Sequence, residues 1–122
     1  MERNCVWKWN GKVYRFDILD ADDMYRLITG LTVCRAALAR LRQDGDADLE
    51  MAAHSEILRD FFDTIWGEGV GAALCGRSCS SAYSLAYLDF MDHVDAQLDW
   101  LEAMLDEAER RYRRMGAALG WK

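Results

Sequence analysis

The chain has 122 residues, enough for one hydrophobic core and too few for two of full size. With 52% apolar residues, among them five Trp, five Tyr and four Phe, it lies far from the compositions that stay disordered. The net charge of -6 argues against a nucleic-acid footprint over the whole surface, and no stretch reaches the roughly 18 to 20 uninterrupted apolar residues of a membrane helix.

The opening residues, Met1-Glu2-Arg3-Asn4, do not begin a signal peptide, so a cytoplasmic protein with no membrane association is expected. Residues 5–16 place Asn10-Gly11 between two alternating apolar runs, the pattern of a tight β-hairpin. Pairing outward from that turn sets Trp9 against Lys12, Trp7 against Tyr14 and Cys5 against Phe16 on one face. Val6, Lys8, Val13 and Arg15 fall on the other. A lone hairpin is marginal in water, so the aromatic face calls for cover by helices of this chain or by another subunit.

Asp20, with Asp23 three residues on, opens a helix predicted over 21–43 in the manner of a capping pair. Its apolar stripe is Met24, Leu27, Ile28, Leu31, Cys34, Leu38 and Leu41. Asp44-Gly45-Asp46 reads as a turn, with Asp46 capping a second helix over 47–66. The stripe there is Leu49, Ala53, Ile57, Phe61 and Ile65, flanked by Leu58 and Phe62. Gly67 stops it. A glycine-rich connector follows over 67–80, with room for one or two short turns anchored by Val70 and Leu74.

The last predicted element is a helix over 81–115, with Gly116 as the first breaker. Its apolar positions are Leu85, Leu88, Met91, Val94, Leu98, Leu101, Leu105, Ala108, Tyr112 and Met115. About 35 residues make a rod of roughly 50 Å, far longer than the radius of gyration of about 14 Å expected for a domain of this size. The rod must overhang, and since a long exposed apolar patch would be a liability, its far end is expected to be covered either by the first helix and hairpin or by a second chain. The fold class is therefore mainly α with an N-terminal hairpin (α+β): a β-hairpin, three main helices, the last of them long, in a single domain.

Catalytic and ligand chemistry is sparse. Cys5, Cys34, Cys75 and Cys79 come without a secretory context and without two closely spaced pairs, which favours buried thiols over disulfides or zinc. His54 and His93 have neither HExxH spacing nor a Ser-His-Asp setting, and the carboxylates near them fall beside the apolar stripes. Asp92, Asp95, Asp99, Glu102, Asp106 and Glu109 read as a solvated acidic face. The cluster Arg110-Arg111-Tyr112-Arg113-Arg114 reads as a cationic last turn complementing the helix dipole. Gly67-x-Gly69-x-Gly71 follows a helix, whereas nucleotide loops follow a strand. Arg77 with Ser78, Ser80 and Ser81, where a helix begins, is a weak candidate anion site; the ordinary reading is a serine cap. No catalytic residue, metal or cofactor is expected.

Two segments carry a family likeness. Phe16-Asp17-Ile18-Leu19-Asp20-Ala21-Asp22 before a helix, and Phe61-Phe62-Asp63-Thr64-Ile65-Trp66-Gly67-Glu68-Gly69 before a short segment and a long helix, resemble a family of small uncharacterised phage and prophage proteins. The likeness spans roughly residues 13 to 101, with Trp66 in place of Phe and Val70 in place of Thr. The resemblance implies a non-enzymatic protein of the tail-morphogenesis region, similar to the tail assembly chaperones that accompany the tape measure protein. It would act in the cytoplasm of an infected or lysogenic bacterial host and bind a phage tail protein. The aromatic hairpin and the overhanging helix supply the candidate partner surface: Trp7, Trp9, Tyr14, Trp100, Met104 and Tyr112. A homo-oligomer is expected. The alternative from another class is a phage-encoded inhibitor of host defence, acting by docking on a defence protein or by sequestering a nucleotide signal. A small enzyme or ligand-binding bundle would need inward polar groups that the stripes lack.

Overall fold

The computed structural model describes residues 3–41, 47–76 and 80–120. The architecture is mainly helical with an N-terminal two-stranded hairpin, as the patterning predicts. β1 (Val6–Trp9) and β2 (Lys12–Arg15) pair antiparallel, with Trp7 opposite Tyr14 and Trp9 opposite Lys12. Asn10 and Gly11 both take positive φ (51° and 75°), the type I′ geometry whose twist matches the strands. The Phe16 amide donates to the Cys5 carbonyl at 2.9 Å, extending the pairing to the expected third position.

α1 (Ala21–Leu41) and α2 (Ala47–Trp66) follow, then a one-turn helix α3 (Val70–Cys75) inside the glycine-rich connector, then α4 (Ser80–Ala118). At 1.5 Å per residue α4 is about 58 Å long. The turn expected at Asp44-Gly45-Asp46 lies outside the described residues, as do the side chains of Leu49 and Ser80. α4 does not break at Gly116 but runs to Ala118, because one glycine costs a helix only about 1 kcal/mol.

The core joins the hairpin's aromatic face to α2 and the first half of α4. Phe16, Phe61, Phe62 and Phe90 are fully buried, with Trp7, Leu58, Ile65, Leu74, Tyr83, Ala86 and Val94 around them. The hairpin is thus covered by this chain's own helices. Trp7 stacks nearly parallel to Trp66 and Phe62 and meets the edge of Phe90. Both indole N–H groups are satisfied: Trp7 Nε1 donates to Asp89 Oδ2 at 2.9 Å and Trp66 Nε1 to the Arg15 carbonyl at 2.8 Å.

The stripe of α1 lies where its spacing predicts, with Leu27 and Cys34 buried and Met24, Leu31 and Leu38 packed on the core; Ile28 alone is exposed, and Gly30 joins the buried line. Gly30 lets α2 come close, since an added Cβ would lie 3.2 Å from Phe61. On α4 Met91, Val94 and Leu101 meet the core as predicted, but the first turns differ in phase: Tyr83, Ala86 and Phe90 are buried, with Gln97 further on, while Leu85 and Leu88 point to solvent. The capping pair is also redistributed. Asp20 Oδ1 accepts from the amides of Asp22 and Asp23, as an N-cap should, but Asp23 reaches past Asp20 to the amide of Asp17 at 3.0 Å.

Candidate functional site

The two family-like segments are both consumed by the fold. At the end of α2, Phe61 and Phe62 enter the core and Trp66 joins the aromatic stack on Trp7. Gly67 and Gly69 take φ of 113° and 90°, which turns the chain out of α2 within three residues. Asp63 Oδ1 then accepts the Gly71 amide at 2.8 Å, satisfying a donor in the first turn of α3. Gly71 itself lies against the Arg59 carbonyl, where any Cβ would collide with backbone. Of the motif residues, Glu68 is an exposed charge.

The hairpin closes the other end of α3. Asn10 Nδ2 donates to the Leu74 carbonyl at 3.3 Å and Lys12 Nζ to the Ala73 carbonyl at 2.6 Å, so carbonyls at the C-terminal end of the short helix find donors. Beside this contact Trp9, Leu74, Ala82 and Leu85 line an open recess of about 300 Å³. Arg77 and Ser78 of the weak anion candidate, and Cys79, lie outside the described residues, and Ser81 is exposed.

The first segment forms a second clasp, around Gln97. Its Oε1 accepts the Ile18 amide at 3.0 Å, and its Nε2 donates to the Phe16 carbonyl at 2.7 Å. The Ile18 N–H can face only an oxygen, which fixes the amide's orientation. The remaining Nε2 hydrogen points at His93 Nε2, 3.0 Å away, so that nitrogen is the acceptor and the ring is neutral. Burial pushes the His93 pKa down, against an opposing pull from Asp89. Asp17, nearly buried, takes the Leu19 amide and an ion pair from Arg3 at 3.1 Å, and the Arg3 guanidinium lies over the Trp100 ring. Gln97 and Asp89 were not marked by the sequence reading, because a polar residue on a helix signals solvent until its partner elsewhere in the chain is known.

The candidate partner surface divides. Trp7, at 2% exposure, belongs to the core and is not a surface residue. Trp9 and Tyr14 are half-buried and pack on the core, and Trp100 is half-buried beneath Arg3. Met104 and Tyr112 are exposed, on the half of α4 that projects beyond the core. Leu101 is the last apolar side chain of that helix packed on the core among the described residues. Beyond it Leu105, Tyr112, Met115 and Leu119 are each more than half exposed.

The charges of α4 from residue 92 onward are segregated along the axis. Asp92, Asp95, Asp99, Glu102, Asp106, Glu107 and Glu109 come first, then Arg110, Arg111, Arg113 and Arg114. The Arg cluster is not a last turn, since the helix continues to Ala118. Its cations instead pair one turn back: Arg110 and Arg111 with Glu107, and Arg113 with Glu109, at 2.5 to 3.0 Å. The hydrogen bond from Arg111, then the charge of Arg110, holds the Glu107 carboxyl below its ordinary pKa.

Chemistry elsewhere is muted. Burial raises the pKa of the Cys34 and Cys75 thiols, the opposite of what a reactive cysteine needs. Among the described residues no group of three or more His, Cys, Asp and Glu is placed to hold a metal, and no helix is long and apolar enough to cross a membrane.

A family model matches residues 10–117, from the hairpin turn to the end of α4. The chain belongs to the family of unknown function DUF6673. The matched span takes in both clasps and the projecting half of α4, so all three are features of the DUF6673 region of this chain. No curated protein and no solved structure matches it.

Proposed function

We propose that this protein is a non-enzymatic protein-binding factor working through the projecting half of α4. In this reading it is a tail assembly chaperone-like factor of a tailed phage, holding a helical client such as the tape measure protein in the host cytoplasm. The observation that carries the reading is the row Leu105, Tyr112, Met115 and Leu119, exposed by 56 to 64% on a helix that has left its own core. An apolar helix face bordered by charge is the chemistry of helix-to-helix recognition. The phage assignment rests on the resemblance of the two segments around Asp17 and Asp63. Both are spent on folding, so neither supplies the client surface in this reading.

Co-expression with a tape-measure fragment tests this. The two proteins should co-elute on size exclusion at micromolar concentration, and Leu105→Asp should abolish co-elution. Two separate peaks from the wild-type pair would refute the client assignment.

A further inference from the structure

We infer that His93 is a proton-operated latch on the joint between the hairpin and α4: the joint is closed while the ring is neutral and is released, ahead of the rest of the fold, when the ring takes a proton. The latch is a row on α4. Asp89, His93 and Gln97 are spaced four residues apart, so each lies one turn from the next along the same side of the helix. The two ends of the row hold the N-terminal segment. Asp89 takes the Trp7 indole N–H at 2.9 Å, and Gln97 takes the Ile18 amide at 3.0 Å and donates to the Phe16 carbonyl at 2.7 Å. His93 stands between them, its Nε2 at 3.0 Å from Gln97 Nε2.

The hydrogen bonds around Gln97 admit one arrangement. The Ile18 N–H requires an oxygen and the Phe16 carbonyl requires an N–H, so the two together aim the second Nε2 hydrogen at His93. A neutral ring accepts it. A protonated ring carries hydrogens on both nitrogens, so two donors then face each other at 3.0 Å. Turning the amide over would suit the imidazolium but would set Nε2 against the Ile18 N–H and Oε1 against the Phe16 carbonyl. Either way a buried polar group loses its partner. At the other end of the row, an imidazolium attracts the Asp89 carboxylate one turn back, in competition with the Trp7 N–H. A single proton therefore works against both ties.

The ring is placed to receive that proton. His93 lines an open recess of about 360 Å³ between β1 and α4. The charged groups that line it with the ring are Asp89 and Asp92 from its own helix and Lys8 from β1. Beyond Gln97, in the segment after β2, Asp17 is paired with Arg3 at 3.1 Å, and Arg15 lies 3.8 Å from the same carboxylate oxygen. Burial holds the ring's pKa below 6.5 against the pull of Asp89, so the joint is fully latched above that pH and is released as pH falls toward the folded value.

The test uses the full chain, with hydrogen exchange read by NMR as protection factors and the His93 ring titrated in the same samples. The Ile18 amide and the Trp7 indole N–H should open together, at a lower free energy than the core amides of α2 and with less sensitivity to added urea. From about pH 7.5 to about pH 5.5 both protection factors should fall by one common factor, about tenfold for each unit by which the folded ring's pKa lies below 6.5. In His93→Asn the fall should vanish. In Gln97→Glu, whose carboxylate can accept from both the Ile18 amide and an imidazolium, the ring should titrate higher than in the wild type and the fall should shrink. Ile18 protection that ignores pH in the wild type, a fall that persists in His93→Asn, a folded ring that titrates at or above 6.5, or opening of Ile18 and Trp7 only together with the α2 core overturns the latch. Three of these four results are read on the wild-type chain, so the proposal is open to refutation even if a variant does not fold.

Discussion

The Asp63 carboxylate and the Gly71 amide, eight residues apart, meet at 2.8 Å and lock the turn between α2 and α3. The contact lets α2 end with Phe61, Phe62, Ile65 and Trp66 in the core while α3 folds back beneath the hairpin tip. Asp63→Ala should therefore act as the loss of a helix cap, costing about 1 kcal/mol and a few degrees of melting temperature. Gly71→Ala should cost more, because the new methyl meets the Arg59 carbonyl and backbone must move. Thermal melts of the two variants check the order; a Gly71→Ala protein as stable as the wild type would contradict the close approach.

Gln97 carries the second clasp, and its removal should be more damaging than its polarity suggests. Gln97→Leu would leave the Ile18 amide and the Phe16 carbonyl without a side-chain partner in a buried setting, at about 1 to 3 kcal/mol for each orphaned group. Chemical denaturation should show a loss within about 2 to 6 kcal/mol with the folding cooperativity unchanged. A loss below about 0.5 kcal/mol, the level of an ordinary surface change, would mean that Gln97 does not tie the hairpin to α4.

His93 should make stability fall in mild acid. Its pKa in the folded chain lies below the ordinary 6.5, because burial disfavours the imidazolium and Gln97 Nε2 offers a donor where a protonated ring would also need to donate. For a base whose folded pKa is depressed, the contribution is fully present above 6.5 and is lost as pH falls from there toward the lower folded value. Between about pH 8 and about pH 5 the melting temperature of the wild type should drop more than that of His93→Asn. Equal drops would show that the ring is not held neutral.

The hairpin was legible in full because its signals are local: Asn10-Gly11 names the turn, and alternation names the faces. The existence of α1, α2 and α4 was legible from apolar spacing, and α2 ends where Gly67 stands. The phase of the first turns of α4 was not. Tyr83, Ala86, Phe90 and Val94 keep helical spacing, as do Leu85 and Leu88, and only the position of the aromatic hairpin decides which line is covered. Gln97 and Asp89 were invisible for the same reason, since their partners, Phe16, Ile18 and Trp7, are some eighty residues away. The overhang could be read from length alone. Periodicity gives the stripe along it, but the stripe is the same whether its cover comes from the same chain or from another.

Substitutions on the projecting half should leave the head intact. Leu105→Asp and Met115→Asp change exposed positions, so each should shift the unfolding free energy of a dilute sample by no more than about 0.5 kcal/mol. A cooperative loss of structure in either variant would place these side chains in the head's own core.

The most direct measurement of the central claim, that the projecting half of α4 is a surface made to be covered by protein, is amide hydrogen exchange of residues 102–118 as concentration rises from about 1 µM to about 200 µM. Exchange in this segment should be rapid at the low end and strongly protected at the high end, with no such rise in protection in Leu105→Asp. Exchange that is equally fast at both concentrations and unchanged by an added helical client would contradict it.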